Sequence, residues 1–290
     1  MTGVRVRLVD AFTDAPFCGN PAVVVALDEA APTEWMAALA RELTVPDTAF
    51  VVPSTSAEAD FGLRWFTPAA EVDLCGHATL ATAHCLLEDG AADPIRFTTR
   101  SGILIVTRRA DGSLAMDFPA SLPTAADTGT RSALADALGT RVDWAARTND
   151  DVFLLAQLAD ERAVRQLTPN LEAIAALDGS AVIVTAIADE GHDYDFVSRL
   201  FAPSLGIPED PVTGSSHTVL APFWAERLAR ATLRGFQASH RPGRLALELR
   251  GDRVVVGGRA VTVLDGALAG AAAPTALVGA TSRENTAERS

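Results

Sequence analysis

Two short clusters hold the residue types that could do chemistry. Cys75, Gly76 and His77 form one; Thr213, Gly214 and Ser215, with Asp210 just upstream, form the other. A glycine at a helix start lets a ligand approach the backbone closely. The free N–H groups and the positive end of the helix dipole there favour a carboxylate or an oxyanion. One such turn is weak evidence, because glycine near a helix start is common. The pair gains weight from an internal repeat: Arg64-Trp65-Phe66-Thr67-Pro68 recurs as Arg199-Leu200-Phe201-Ala202-Pro203. Each copy is followed by an acid (Asp73, then Asp210) and then by the glycine that opens a helix (Gly76, then Gly214). The chemistry suggested is capture of a carboxylate, with acid or base groups from the flanking side chains.

The elements that must position these residues are short strands alternating with a few helices. Val4–Phe12, Ala22–Leu27, Ala49–Pro53 and Leu63–Thr67 read as strands, and Thr33–Leu43 as an amphipathic helix entered by Pro32. Gly76–Glu88 reads as a helix closed by Asp89-Gly90. Ile95–Thr99, Gly102–Arg108 and Ser113–Phe118 read as a meander, with Asp111-Gly112 as a hairpin turn. Residues 119–131 lack periodicity and are rich in Pro, Ser, Thr, Ala and Asp, so they read as a linker. A helix at Ser132–Leu138, a strand at Val152–Leu158, a helix at Leu171–Leu177 and a strand at Ala181–Ala188 follow. The repeat predicts two similar α+β halves related by a pseudo-twofold, residues 1–118 and 132–280, with 281–290 a flexible tail. A site shared between such halves would receive one helix start from each.

Composition excludes several alternatives. The 290 residues carry 24 basic and 37 acidic side chains, a net charge of −13, with no basic run to offset it. A chain this acidic repels phosphate backbones, so no nucleic-acid partner is expected. No lysine occurs, so all 24 basic residues are arginine. That forbids a pyridoxal-phosphate or aldolase Schiff base and a phosphate-binding loop ending in Gly-Lys-Ser/Thr. Three cysteines, Cys18, Cys75 and Cys85, are too few and odd in number for a disulfide framework. The N-terminal residues run straight into a strand pattern with no basic head and apolar core, and no apolar run approaches about 18 residues. The expectation is a cytoplasmic protein with no membrane partner.

Asp10-Ala11-Phe12-Thr13, Cys18-Gly19-Asn20-Pro21-Ala22, Asp47-Thr48-Ala49-Phe50, Asp73-Leu74-Cys75-Gly76-His77-Ala78-Thr79 and Glu209-Asp210-Pro211-Val212-Thr213-Gly214-Ser215 together resemble the phenazine-biosynthesis PhzF-like isomerase family. The match runs through nearly the whole chain in the family's order, and the combination is specific although no single piece is. The family shares a fold group with diaminopimelate epimerase and proline racemase. The resemblance implies two barrel-like α+β halves, each around a central helix, usually in a homodimer, with no metal or organic cofactor. It also implies a substrate carboxylate held near Gly76 and Gly214, and it places His77, Asp210 and Ser215 at the family's functional histidine, aspartate and serine. The family's usual base is a glutamate in a Ser-Glu-Thr-like motif, whereas Pro46-Asp47-Thr48 stands here. Aspartate keeps the carboxylate but reaches about 1.5 Å less far. Two-base racemases of the fold group place a cysteine before each glycine; here Cys75 fills the first place and Thr213 the second. A threonine hydroxyl is too weak an acid to replace a thiol.

Plainer readings stand beside these. Asp47 and Asp210 could serve only as turn or capping residues, and Ser215 as an N-cap, a ligand contact or both. His77 and His84 are seven residues apart on one helix, roughly 10.5 Å, too far to share a metal. Cys75 and Cys85 have no compact ligand spacing, so no metal site is expected. Cys18 and Cys85 read as small core residues, and Ser216-His217 cannot be taken for a hydrolase pair on adjacency alone. The expected function is a cofactor-independent isomerase of secondary metabolism moving a proton on a small, cyclic, carboxylate-bearing metabolite. Asp47, His77, Asp210 and Ser215 are its catalytic groups, and Cys75, Gly76, Thr213 and Gly214 bind substrate. The alternatives are a one-base dehydratase or epimerase of the same fold group and a non-catalytic binding protein.

Overall fold

A computed structural model describes residues 3–149, 152–179 and 181–274; the expected tail 281–290 lies outside them. From the N-terminus come β1 (Arg5–Ala11), β2 (Asn20–Ala26), α1 (Thr33–Leu43), β3 (Asp47–Pro53), β4 (Phe61–Phe66), β5 (Glu71–Val72), α2 (Gly76–Glu88), β6 (Ile95–Thr99) and β7 (Gly102–Arg108). Next are β8 (Leu114–Pro119), β9 (Thr124–Ala125), α3 (Thr128–Leu138), β10 (Trp144–Arg147), β11 (Phe153–Gln157), α4 (Glu161–Arg165), α5 (Leu171–Ala175) and β12 (Ala181–Ile187). The chain continues with β13 (Phe196–Ala202), β14 (Ile207–Asp210), α6 (Ser216–Leu228), β15 (Thr232–Gln237), β16 (Gly243–Arg250), β17 (Arg253–Gly258) and β18 (Ala260–Ala267).

These elements form two compact units, each built from separate stretches of chain. The described residues of 1–10, 21–108 and 260–290 make the first, and 11–20 with 109–259 make the second. This departs from the sequential halves expected at 1–118 and 132–280, and the reason is strand pairing. β8 does not complete a meander with β6 and β7. It pairs antiparallel with β17 along its whole length, Leu114 opposite Gly258 and Phe118 opposite Val254. β18 in turn pairs with β1. Nor are residues 119–131 a featureless linker. Asp127 caps α3 by accepting the Thr130 N–H at 2.7 Å, so the helix starts at Thr128 inside the stretch that looked aperiodic.

Each unit follows one pairing order. In the first, β2 and β3 are parallel, β4 runs antiparallel to β3 and to the short β5, and β6 is parallel to β4 and antiparallel to β7. The second repeats this with β11 and β12, β13 and β14, then β15 and β16. The sequence repeat is visible in the side chains. Arg64 clamps Glu71 with two bonds of 2.7 and 2.8 Å and lies over Phe66; Arg199 clamps Glu209 with 2.6 and 3.0 Å and lies over Phe201.

A helix buried all round must be mostly apolar or small, and α2 and α6 are, His77 and His217 excepted. In α2 every residue from His77 to Ala83 is buried, and the Thr79 and Thr82 hydroxyls are satisfied by donating to the carbonyls four residues back, at 2.6 and 2.7 Å. In α6 every residue from Ser216 to Ala225 is buried. Pro222 inside it cannot donate to the Thr218 carbonyl, and the Ser121 N–H takes that carbonyl at 3.1 Å instead. Other helices cover the outer faces. Trp35, Met36 and Leu39 of α1 pack with Val23, Val25, Phe50 and Phe66. Leu134, Leu138, Val164 and Ile174 of α3–α5 pack with Leu154, Val182, Val184 and Phe201. Each such side chain contributes roughly 1.5–3 kcal/mol on full burial.

Candidate active site

In the first unit Asp47 is the first residue of β3, held by the ladder opposite Ala22 of β2. Cys75 occupies the N-cap of α2 in an extended conformation, φ −143° and ψ 105°, and its side chain makes no capping bond. Gly76 and His77 are the first two helical residues. This places three side chains together. His77 Nε2 lies 3.5 Å from Asp47 Oδ2, and Cys75 Sγ lies 3.4 Å from His77 Nδ1. Burial pushes the His77 pKa down to about 3, because a cation so enclosed loses its hydration. The imidazole is therefore neutral near pH 7, and its contact with Asp47 is that of a neutral ring beside a carboxyl group rather than an ion pair. The four residues expected in this half, Asp47, Cys75, Gly76 and His77, are thus brought together around the first turn of α2.

In the second unit Asp210 ends β14, and its carboxyl is held by two donors. Asn20 Nδ2 donates to Asp210 Oδ1 at 2.9 Å and to the Val212 carbonyl at 2.8 Å, and the Thr213 hydroxyl donates to Asp210 Oδ2. Burial raises the Asp210 pKa to about 6, opposed by the Thr213 and Asn20 hydrogen bonds. Desolvation exceeds the two donors, so the carboxyl titrates near neutrality. Gln237, at the end of β15 and fully buried, fixes the loop that follows. Its Nε2 donates to the Asp210 carbonyl at 2.8 Å and its Oε1 accepts the Thr213 N–H at 2.9 Å. Gly214 and Ser215 form a turn, and α6 begins at Ser216, two residues later than expected. Ser215 holds the N-cap position but is exposed and makes no side-chain capping bond, so the simple N-cap reading is not realised.

Asn20 and Gln237 were not singled out from the sequence as site residues. Asn20 lay within a quoted motif but carried no role, and Gln237 has no local signal. Gly19 sets Asn20 in place. It sits at φ +66°, a Cβ there would lie 2.2 Å from the Ala11 carbonyl oxygen, its N–H donates to Pro242 at 2.9 Å, and its carbonyl accepts from Arg241 Nε at 3.1 Å. Gly19→Ala is expected to cost more than the ~1–2 kcal/mol of left-handed strain alone, because the clash is with backbone. Urea unfolding checks this; a cost under about 1 kcal/mol would show the loop yields freely.

His84 and His217 have structural partners, and Cys85 is buried. His84 contacts the Thr262 hydroxyl at 3.1 Å and Glu88 at 3.2 Å. Burial pushes the Cys85 thiol up to about 12. Ser216 Oγ and His217 Nδ1 are 3.2 Å apart, yet both face the Thr213 carbonyl, at 2.9 and 2.8 Å. A nitrogen that donates to a carbonyl cannot take a proton from Ser216, and no hydrolase pair forms. Among the described residues no helix is long and apolar enough to cross a membrane.

Comparison with known proteins agrees with this architecture. A family profile described as phenazine biosynthesis-like protein matches residues 9–266. An uncharacterized isomerase of Pseudomonas aeruginosa is 46% identical over 90% of this chain and 96% of its own length. The crystal structure of a PhzF-family phenazine biosynthesis protein from Enterococcus faecalis superimposes with a TM-score of 0.85 at 40% identity, covering 92% of this chain and 100% of that one. A probable proline racemase from Agrobacterium radiobacter shares the fold alone, with a TM-score of 0.62 at 14% identity over 92% of this chain and 93% of its own. On the family match and the full-length isomerase relative together, the chain belongs to the phenazine-biosynthesis-like (PhzF) family of the diaminopimelate epimerase-like fold group.

Proposed function

We propose that the protein is a cofactor-independent isomerase that shifts a proton between positions of a small, cyclic, carboxylate-bearing metabolite. The observation that carries this reading is the 3.5 Å contact between Asp47 and the neutral His77 at the first turn of α2. A carboxylate, a neutral imidazole and free helix-start amides together form a base, a polar anchor and an anion cradle. Asp47 removes the proton from carbon and redelivers it. The Gly76 end of α2 receives the substrate carboxylate and the negative charge that develops as the C–H bond breaks. His77 steadies the substrate's polar groups without competing for the proton. Asp210 in its protonated form donates a hydrogen bond to a substrate oxygen with no net proton transfer, and Thr213, Gly214 and Ser215 bind the substrate's other oxygens. Acid–base catalysis supplies about 10²–10⁴-fold, and positioning supplies the rest.

The test is proton NMR in D₂O with trans-2,3-dihydro-3-hydroxyanthranilate. Turnover is expected, with deuterium entering the newly formed C–H bond to the extent that the proton on Asp47 exchanges with solvent before it is redelivered. Absence of turnover would overturn that substrate and leave another cyclic acid or a binding role. A second reading draws on the 3.4 Å contact of Cys75 Sγ with His77 Nδ1. There the thiolate is the one base of a dehydratase or epimerase, and Cys75→Ser abolishes activity, which the first reading tolerates.

The raised pKa of Asp210 gives a pH dependence. An acid must be protonated to donate, so kcat/KM is expected to fall as pH rises through about 6. Asp210→Asn removes that limb. A rate that instead rises through this range would show that Asp210 works as the carboxylate.

A further inference from the structure

The spacing of cysteines and histidines along the chain argued against a metal, but that count left out the strand residue. β3 brings the Asp47 carboxylate to the two side chains at the start of α2, and one ligand atom from each of Asp47, Cys75 and His77 lies within 4.8 Å of the others. We infer that Asp47, Cys75 and His77 form a capture site for a thiophilic divalent cation of the zinc class, and that an ion bound there blocks the proton shift.

The geometry can be compared with what zinc requires. With Zn–N about 2.0–2.1 Å, Zn–O about 2.0–2.2 Å and Zn–S about 2.3 Å, a tetrahedral ion sets N···O and S···N edges of roughly 3.3 and 3.6 Å. Here His77 Nε2 stands 3.5 Å from Asp47 Oδ2 and 4.0 Å from Cys75 Sγ. Both exceed the ideal by less than half an ångström, and the third edge, Asp47 oxygen to Cys75 Sγ, lies within 4.8 Å, so binding draws the three side chains together by side-chain torsion. One nitrogen thus serves both edges. The donor set is sulfur, nitrogen and oxygen, which suits zinc or cobalt(II) and not magnesium or calcium, whose ligands are oxygens.

Three features favour binding. The donors sit on a strand end and a helix start that the fold already orders, so little chain entropy is lost on capture. Thiolate and carboxylate bring two negative charges, which offset the positive end of the α2 dipole. Each residue also keeps a sliver of exposure, 7% for Cys75 and His77 and 9% for Asp47, so the cluster is not sealed. On binding, the Cys75 thiol proton passes to solvent and the S–metal bond forms in its place. Three protein donors leave a fourth position open, as in zinc sites that accept water or a substrate oxygen. The blocked proton shift rests on the proposed function; the binding itself does not.

Cobalt(II) titration of the full chain tests it. A thiolate-to-cobalt charge-transfer band saturating at one equivalent and displaced by zinc is expected. The band is expected to vanish in Cys75→Ala and to persist in Cys18→Ala, with circular dichroism confirming that both variants are folded. His77→Gln should weaken binding by at least the about 10–100-fold that loss of an outer-sphere partner costs. Absence of the band in the wild type, or its survival in Cys75→Ala, overturns the site. In the turnover assay, one equivalent of zinc is expected to stop the reaction and a chelator to restore it. Tight binding with undiminished turnover would overturn the blockade. If the chosen acid is not turned over at all, the titration still decides the metal site, and the two failures stay distinct.

Discussion

Asparagine in place of Asp47 is expected to lower kcat by about 10²–10⁴-fold while leaving the fold intact. The substitution keeps side-chain volume and the β2–β3 ladder in which Asp47 stands opposite Ala22. What it removes is the capacity to accept a proton from carbon. KM should change little, since in this mechanism the carboxylate moves the proton and the start of α2 holds the substrate. Asp47→Glu keeps the charge and extends the reach by about 1.5 Å, and it is expected to retain turnover. Deuterium incorporation followed by NMR, with melting curves for both variants, gives the measurement. Asp47→Asn turning over at the wild-type rate would remove Asp47 as base and leave the Cys75 thiol, in contact with His77, as the next candidate.

The sequence made some features visible because they are local. Gly76–Glu88, Thr33–Leu43, Ile95–Thr99 and Gly102–Arg108 fold at the bounds that periodicity and turn residues suggest. The Arg64/Phe66 and Arg199/Phe201 repeat marks two hairpins with the same arginine–glutamate clamp. Its acid was nevertheless misassigned. Strand register sets Val72 opposite Trp65 and Asp210 opposite Leu200, so Val72, not Asp73, is the counterpart of Asp210, and Asp73 is exposed. Glu71 and Glu209 are the true pair, and counting to the next acid slipped past it. A register shift between Leu200 and Ala202 adds to the mismatch. Asn20 and Gln237 gained their roles only by tertiary placement: Asn20 and Asp210 are 190 positions apart. The unit boundaries were hidden for the same reason, because nothing local to Leu114–Pro119 says that its partner is Arg253–Gly258.

Gln237→Leu is expected to destabilise the protein by about 2–4 kcal/mol. Leucine fills a similar volume but strands the Thr213 N–H and the Asp210 carbonyl, and each orphaned buried group costs about 1–3 kcal/mol. Urea unfolding reads the loss, and a cost below about 1 kcal/mol would mean that water or a neighbour takes over both groups. Gln237→Glu separates the loop's geometry from its charge. Glutamate can still accept the Thr213 N–H, now bonded at 2.9 Å, but once ionised it cannot donate to the Asp210 carbonyl and it brings a negative charge toward Asp210. A like charge disfavours ionisation, so Asp210 should hold its proton to still higher pH than the wild-type value of about 6. The falling limb of kcat/KM should then move to higher pH in Gln237→Glu and vanish in Asp210→Asn. A limb that stays in place in Gln237→Glu while stability falls would assign the titration to another group. A limb that moves ties the buried glutamine to the protonation of Asp210 on which the rate depends.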